Sequence, residues 1–257
     1  MTTFIQVLDP YLPLSEDAAA LVVLLIALLL FLVLTIRGRL RAQVTLRPIP
    51  AYERLEELAS QAAESDRPIH VALGTGQLGT ESTPEMVMGL TVLDYVARRA
   101  SVCDQPIMAT TGDAATFTAA QGIVRSAARD AGIEPEQDER AVVFYGPEPY
   151  AYAAGAADLE SDCEPVALAM FGRWGAEGLW LSEAAGDADT PKVGGAAQPE
   201  AAALLQASLD DCVSGEELFA AGAYLHRRNH VGSLLAQDAL RVVVALAIIV
   251  GAVFASV

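Results

Sequence analysis

The stretch Gly74-Thr75-Gly76-Gln77-Leu78-Gly79 carries the clearest chemical spelling in the chain. It follows the apolar run Val71-Ala72-Leu73 and reads G-x-G-x-x-G. A loop of that form lets a nucleotide's phosphates approach the backbone amides at a helix N-terminus. Thr110-Thr111-Gly112-Asp113, Tyr145-Gly146, Phe171-Gly172-Arg173 and Gly194-Gly195 end four further apolar runs. In an open α/β sheet, ligands bind beyond the carboxyl ends of the strands. Gly74, Thr75, Gly76, Thr111, Gly112, Asp113 and Arg173 are therefore the candidate ligand-binding residues. Glycine permits close approach. The threonines and Asp113 offer polar contacts, and Arg173 offers positive charge to an anionic group. The competing reading is that strand-to-helix loops use glycine and N-caps as ordinary turn chemistry.

Context argues against a dinucleotide. In that fold the third glycine lies in the first helical turn, yet here Thr80-Glu81-Ser82-Thr83 intervene before Pro84. An acidic residue should close the second strand about 20 residues on. The nearest, Asp113, comes 34 residues after Gly79 and is placed to cap a helix. No Lys-Ser/Thr follows the glycines, so this is not a Walker loop. Asp113, Glu148 and Glu177 fall near strand ends with Glu81 and Glu85 close by, and Arg173 is the one base expected there. That balance repels polyphosphate. Carboxylates of this kind hold Mg²⁺ or Ca²⁺ in some proteins, but their usual role is capping and solvation. His226 and His230 have the i, i+4 spacing of metal ligands without the glutamate of H-E-x-x-H or a third ligand. His70 reads as a satisfied edge or core residue. There is no G-x-S-x-G elbow, and no cysteine has an activating partner. The sequence assigns no catalytic residue, metal or cofactor.

The elements that would position these residues alternate. An amphipathic helix over 51–64 puts Tyr52, Leu55, Leu58 and Ala62 on one face. Strands are predicted at 68–73, 106–111, 141–145, 165–171 and 192–194. Helices are predicted at 84–100, 114–131, 148–159, 176–185, 199–208 and 215–226. Asp113 is the expected N-cap of the second of these helices and Gly132 its glycine stop. The strands are short continuous apolar runs, which suits a sheet covered on both faces. The expected fold is α/β: a doubly wound, mostly parallel five-stranded Rossmann-like sheet flanked by two transmembrane helices.

The membrane expectation rests on the two ends of the 257-residue chain. Residues 18–36 are nineteen in a row without a charge, enough at about 1.5 Å per residue to cross a ~30 Å hydrocarbon core. Residues 242–257 are also uncharged and reach that length if the helix starts near Leu234. Arg37, Arg39, Arg41 and Arg47 follow the first span; Arg227, Arg228 and Arg241 flank the start of the second. Under the positive-inside rule both spans put the middle of the chain in the cytoplasm and both termini outside, at the plasma (inner) membrane. The first span has an acidic flank (Asp9, Glu16, Asp17) and no cleavage site, so it reads as an anchor rather than a signal peptide. The organisation expected is an extracytoplasmic tail at 1–17, a span at 18–36, a juxtamembrane connector and helix at 37–66, a cytoplasmic domain at 67–232 and a span at 234–257. The partner implied is the lipid bilayer, with a homo-oligomer or membrane-protein partner suggested by Ala247, Gly251 and Ala255, a small-residue stripe.

A formal charge of −17, with Lys192 the lone lysine, excludes nucleic acid as a partner, because phosphate binding needs clustered Lys and Arg. Three cysteines without a C-x-x-C spacing fit reduced thiols.

"LRPIPAYERLEE", "ALGTGQLG", "ATTGD", "AYAAGAA" and "GEELFAAGAYL…SLLAQDALR" together resemble an uncharacterised family of bacterial membrane proteins known only as a domain of unknown function. The resemblance covers most of residues 46–241 and implies no activity, cofactor or catalytic residue. The function expected from the residues is non-catalytic: ligand sensing, or scaffolding of a membrane assembly. The alternative is an enzyme acting on a small anionic or nucleotide-like substrate at the strand ends.

Overall fold

The computed structural model describes residues 47–65, 67–102, 107–133, 141–184 and 190–225, with single positions between 21 and 36 and between 241 and 245. The chain divides into two units, Met1–Thr45 with Arg227–Val257, and Leu46–His226.

In the second unit the elements run α1 (Pro50–Ser65), β1 (Ile69–Gly74), α2 (Thr83–Val102), β2 (Met108–Thr111), α3 (Ala114–Asp130), β3 (Val142–Phe144), α4 (Pro149–Cys163), β4 (Ala167–Arg173), α5 (Ala176–Ala184), β5 (Lys192–Ala196), α6 (Pro199–Gln206) and β6 (Asp211–Ser214). A 3₁₀ segment, Gly215–Ala220, leads into α7 (Ala221–Leu225). The helix starts follow local chemistry. Asp113 caps α3 by accepting from Thr116 N at 2.9 Å. Glu148 caps α4, with Pro149 at the first helical position, where a missing N–H costs nothing.

All strands pair in parallel, in the order β3-β2-β1-β4-β5-β6. This is the doubly wound order whose switch point lies between β1 and β4. Each crossover to a parallel neighbour needs a helix, and right-handed crossovers from β1 outward and then back past it put those helices on opposite faces. One face carries α4, α5 and α6: Tyr152, Ala153, Ala156, Leu181, Ala202 and Leu205 pack on Ala72, Leu168, Met170 and Ala196. On the other face, α2 and α3 cover the β1–β3 half. The half over β5 and β6 would be bare, and α1 fills it, packing on β5, β6 and α2 with α7 beside it.

The sheet has six strands, not the expected five. The sixth, Asp211–Ser214, lies at the sheet edge beyond β5. Its Asp-Cys-Val-Ser sequence lacks the continuous apolar run of the inner strands, and only Val213 is buried. The continuous helix expected over 215–226 is instead a 3₁₀ turn followed by a short α7.

In the first unit, Leu21, Leu24, Leu25, Leu28, Leu29, Leu32, Val33 and Ile36 are helical and exposed. Among the described residues no helix is long and apolar enough to cross a membrane. The expected spans at 18–36 and 234–257 fall mostly outside the described residues, as do His226 and His230.

Candidate functional site

The carboxyl ends of β1, β2 and β4 bring the sequence-nominated residues together. Gly74 stands in register with Arg173 across the β1–β4 switch point. Gly112 N donates to Gly74 O at 2.9 Å. A Cβ on Gly112 would come within 2.8 Å of Thr75 Cγ2, and one on Gly76 within 2.5 Å of both Arg173 Cβ and Met86 Sδ. Gly74, Gly76, Thr111 and Gly112 are buried, while Thr75, Asp113 and Arg173 are partly open.

A bulge forms the switch point. Between the Ala72–Met170 and Gly74–Arg173 pairs, β4 has one more residue than β1. Within that bulge Gly172 adopts φ +152°, and a Cβ there would sit 2.1 Å from Leu73 O. Gly74, at φ +77°, would drive a Cβ to 2.2 Å from Arg173 O. These two positions need glycine to let β1 and β4 close on each other. The glycines here therefore serve strand contact, and the space behind Gly76 holds Arg173 and Met86.

Three amides of the glycine loop, those of Gln77, Leu78 and Gly79, are satisfied internally. Gln77 N donates to Ser82 Oγ at 2.9 Å, Gly79 N to Thr83 Oγ1 at 2.8 Å, and Leu78 N to Asp113 Oδ2 at 3.3 Å. Asp113 thus places a carboxylate against the Leu78 amide. Burial alone would raise the Asp113 carboxyl, but hydrogen bonds from Thr116 and Leu78 outweigh it and hold the group below its usual range. Thr111 Oγ1 accepts from Asp113 N at 3.3 Å.

Arg173 is also engaged. Its Nη1 bonds both Glu85 oxygens, at 3.1 and 3.3 Å. The Gln198 amide oxygen, in the orientation its neighbours select, accepts from the same guanidinium at 2.6 and 2.7 Å. Glu85, in the first turn of α2, is buried. The other acids disperse: Glu148 caps α4, Glu177 Oε1 takes the Gly175 amide at 2.8 Å, and Glu81 is exposed. Among the described residues no three His, Cys, Asp or Glu gather as a metal site.

A family model for a domain of unknown function, DUF6754, matches residues 13–257. The chain belongs to this family. No curated protein and no solved structure matches it. The DUF6754 match covers the doubly wound domain and the flanking segments as one unit.

Beneath the switch point of this DUF6754 chain lies a polar constellation that sequence reasoning missed. His70 and Glu160 are fully buried, with Nδ1 and Oε1 2.5 Å apart. His70 Nε2 lies 2.8 Å from Thr110 Oγ1, which lies 3.0 Å from Tyr152 Oη. Gly74 N donates to Tyr152 Oη at 3.1 Å. Burial drives the Tyr152 phenol well above its ordinary pKa, against the pull of its hydrogen bonds from Thr110 and Gly74. His70 is thus a satisfied core residue on a central strand. The triad-like order Glu–His–Thr is sealed from solvent, with Thr110 fully buried. The signals available were a histidine in an apolar strand and a glutamate inside the alanine-rich α4. Only the fold shows that the two meet across 90 residues of chain.

The two ends of the domain also converge. Arg47 pairs with Glu217, and Tyr224 Oη donates to Arg47 O. Tyr52 Oη lies 2.9 Å from Glu217 O and 3.0 Å from Leu218 O. The Tyr52 ring stacks between Tyr224 at 5.3 Å and Phe171 at 6.0 Å.

Proposed function

We propose that this protein is a membrane-anchored module whose cytoplasmic Rossmann-like domain acts without catalysis, as a scaffold or ligand-sensing component of a membrane assembly. The observation that carries this reading is the closed state of the polar groups at the switch point. The three loop amides, Asp113, Thr111 and Arg173 are each bonded to other groups of the domain. A nucleophile or a general base needs a free, reachable group, and an anion cradle needs free amides. Of the two forms, scaffolding is favoured, because a ligand at the loop must first displace Asp113 or Glu85.

The membrane placement is part of the proposal. The helical positions described between residues 21 and 36 all present exposed apolar side chains, as a lipid-facing segment does. The clamp of Arg47, Tyr52, Glu217 and Tyr224 ties the two ends of the domain to each other. The stripe of Ala247, Gly251 and Ala255 would then serve helix contact.

One observation favours the second reading, a small anionic or nucleotide-like ligand or substrate at the strand ends. The Trp174 indole N–H, next to Arg173, is buried without an acceptor. A thermal-shift screen of the full chain in lipid nanodiscs, against nucleotides, inorganic phosphate and divalent metals, separates the two. Scaffolding predicts no shift with any of them, and a large native assembly on gentle extraction that shrinks with Gly251→Leu. A shift with one anion class that Arg173→Gln abolishes would replace it with the second reading.

A further inference from the structure

The buried chain Glu160–His70–Thr110–Tyr152 ends on the backbone amide that begins the glycine loop, and its donors and acceptors can be counted. Glu160 Oε2 is buried and has no partner. If the Glu160–His70 pair holds one proton, as imidazolium with carboxylate or as imidazole with carboxylic acid, the pair is neutral. His70 Nε2 then bears hydrogen in either form and donates to Thr110 Oγ1. Thr110 Oγ1 donates to Tyr152 Oη, and Tyr152 donates to Thr110 O, 3.4 Å away. If the pair loses that proton to solvent, a lone carboxylate accepts from His70 Nδ1. Nε2 must then accept from Thr110 Oγ1, and Tyr152 Oη donates to Thr110 Oγ1 instead of to the carbonyl. One proton leaves from Nε2, two hydroxyl hydrogens turn, and the Tyr152 bond to the Thr110 carbonyl is given up; from the carboxylic acid form the acid proton also passes to Nδ1. In the first state Tyr152 Oη accepts from both Thr110 and Gly74. In the second it accepts from Gly74 alone, so the Gly74 bond strengthens.

We propose that the proton count of the Glu160–His70 pair sets the direction of this chain, so that the Gly74 amide at the head of the glycine loop reads out a buried proton. The flanking register partners of His70 are Met108 and Leu168, which are apolar. The groups facing the chain are Glu160 and Tyr152 from α4, Thr110 from β2 and Trp174 after β4, whose ring centroid lies 6.0 Å from that of Tyr152. From α5 there is Glu177, whose charge reaches Tyr152 but whose Oε1 is held by Gly175 N. Among the described residues, the pair is the one proton store in contact with the chain. The inference concerns the interior and holds whether or not the crevice takes a ligand, so it can fail independently of the proposed function.

The sequence supplies a convenient probe. Leu-Gly occurs at Leu73-Gly74 and Leu78-Gly79 alone. Full-length protein in nanodiscs, labelled with ¹³C-carbonyl leucine and ¹⁵N glycine, therefore gives two filtered amide signals, and Gly79 is the internal control. In the parent protein the Gly74 signal should move in a single-proton step with pH while Gly79 stays still. Glu160→Gln, whose amide donates to His70 Nδ1 and so keeps hydrogen on Nε2, should hold Gly74 at its low-pH position. Thr110→Val should abolish the step by cutting the chain. Tyr152→Phe should make Gly74 exchange about tenfold faster, the loss of one buried acceptor. A Gly74 signal that stays still across the pH range in which the fold survives would overturn the proposal. So would a step of undiminished size in either Glu160→Gln or Thr110→Val. If Glu160→Gln does not fold, Thr110→Val alone decides.

Discussion

Strand β1 sends Val71 and Leu73 to one face of the sheet and His70 and Ala72 to the other, and the faces are covered in different ways. Toward α1 and α2 the contacts are apolar and aromatic. Leu73 and the Phe171 backbone press on Gly89 of α2, and Phe171 stacks on Tyr52. Toward α4 the same strand meets a hydrogen-bonded chain set among alanines. An apolar face contributes through buried area and shape, and it tolerates volume-conserving change. A buried polar chain adds little net stability when complete and costs heavily when one member is removed. One face thus supplies stability; the other specifies where Gly74 and its loop stand.

The largest effects should come from breaking each face at its centre. His70→Leu leaves Glu160 buried without a partner and should cost about 3–5 kcal/mol in denaturant unfolding of the full chain. Phe171→Ala should cost a similar amount, about 3–5 kcal/mol, through lost packing. Second changes separate the two. His70→Leu with Glu160→Met should recover most of the loss, because no buried polar group of the pair is then left unpartnered. Phe171→Leu should recover much of its own loss by restoring volume. A polar face that behaved like the apolar one, with no rescue by the double replacement, would break the comparison.

Gly89→Ala tests the apolar face from the helix side. Its Cβ would lie 2.3 Å from Phe171 O, and a shift of α2 of this kind should cost about 1–3 kcal/mol. Asp113→Ala should cost about 1 kcal/mol near neutral pH through the lost cap of α3. The folded carboxyl lies below its unfolded value of about 3.9. Its contribution is therefore full above that value and disappears as pH falls through the folded pKa. Unfolding curves of Asp113→Ala and the parent chain should converge in acid. The smallest effect belongs to Arg47→Ala. That side chain is 77% exposed, so its pair with Glu217 should contribute about 0–1 kcal/mol and fade with salt.

Much of this architecture was legible in local chemistry. Continuous apolar runs ending in glycine marked β1, β2, β4 and β5, because an inner parallel strand needs apolar side chains on both faces. Asp113 marked the start of α3. The candidate residues were found for the same reason: strand ends in a doubly wound sheet converge whatever the order of the strands. β6 escaped because its Asp-Cys-Val-Ser spelling is polar at both ends and shows no apolar run, unlike Val142-Val143-Phe144 of β3, the other edge strand. The pairing of His70 with Glu160 escaped because nothing local to either residue refers to the other.

What the sequence determined by itself is therefore the first five strands and the helices between them, their alternation and the nomination of the glycine exits. Capping, periodicity and apolar runs act within a few residues and are written in the chain. Only the tertiary structure decided the order β3-β2-β1-β4-β5-β6, the bulge that brings Gly172 against Leu73, and what occupies the crevice. The amides of Gln77, Leu78 and Gly79 go to Ser82, Asp113 and Thr83, and Arg173 goes to Glu85 and Gln198. The Leu78–Asp113 and Arg173–Glu85 bonds join residues 35 and 88 apart in the chain, which only the fold brings together. Burial makes each such match worth making, and no local pattern encodes it.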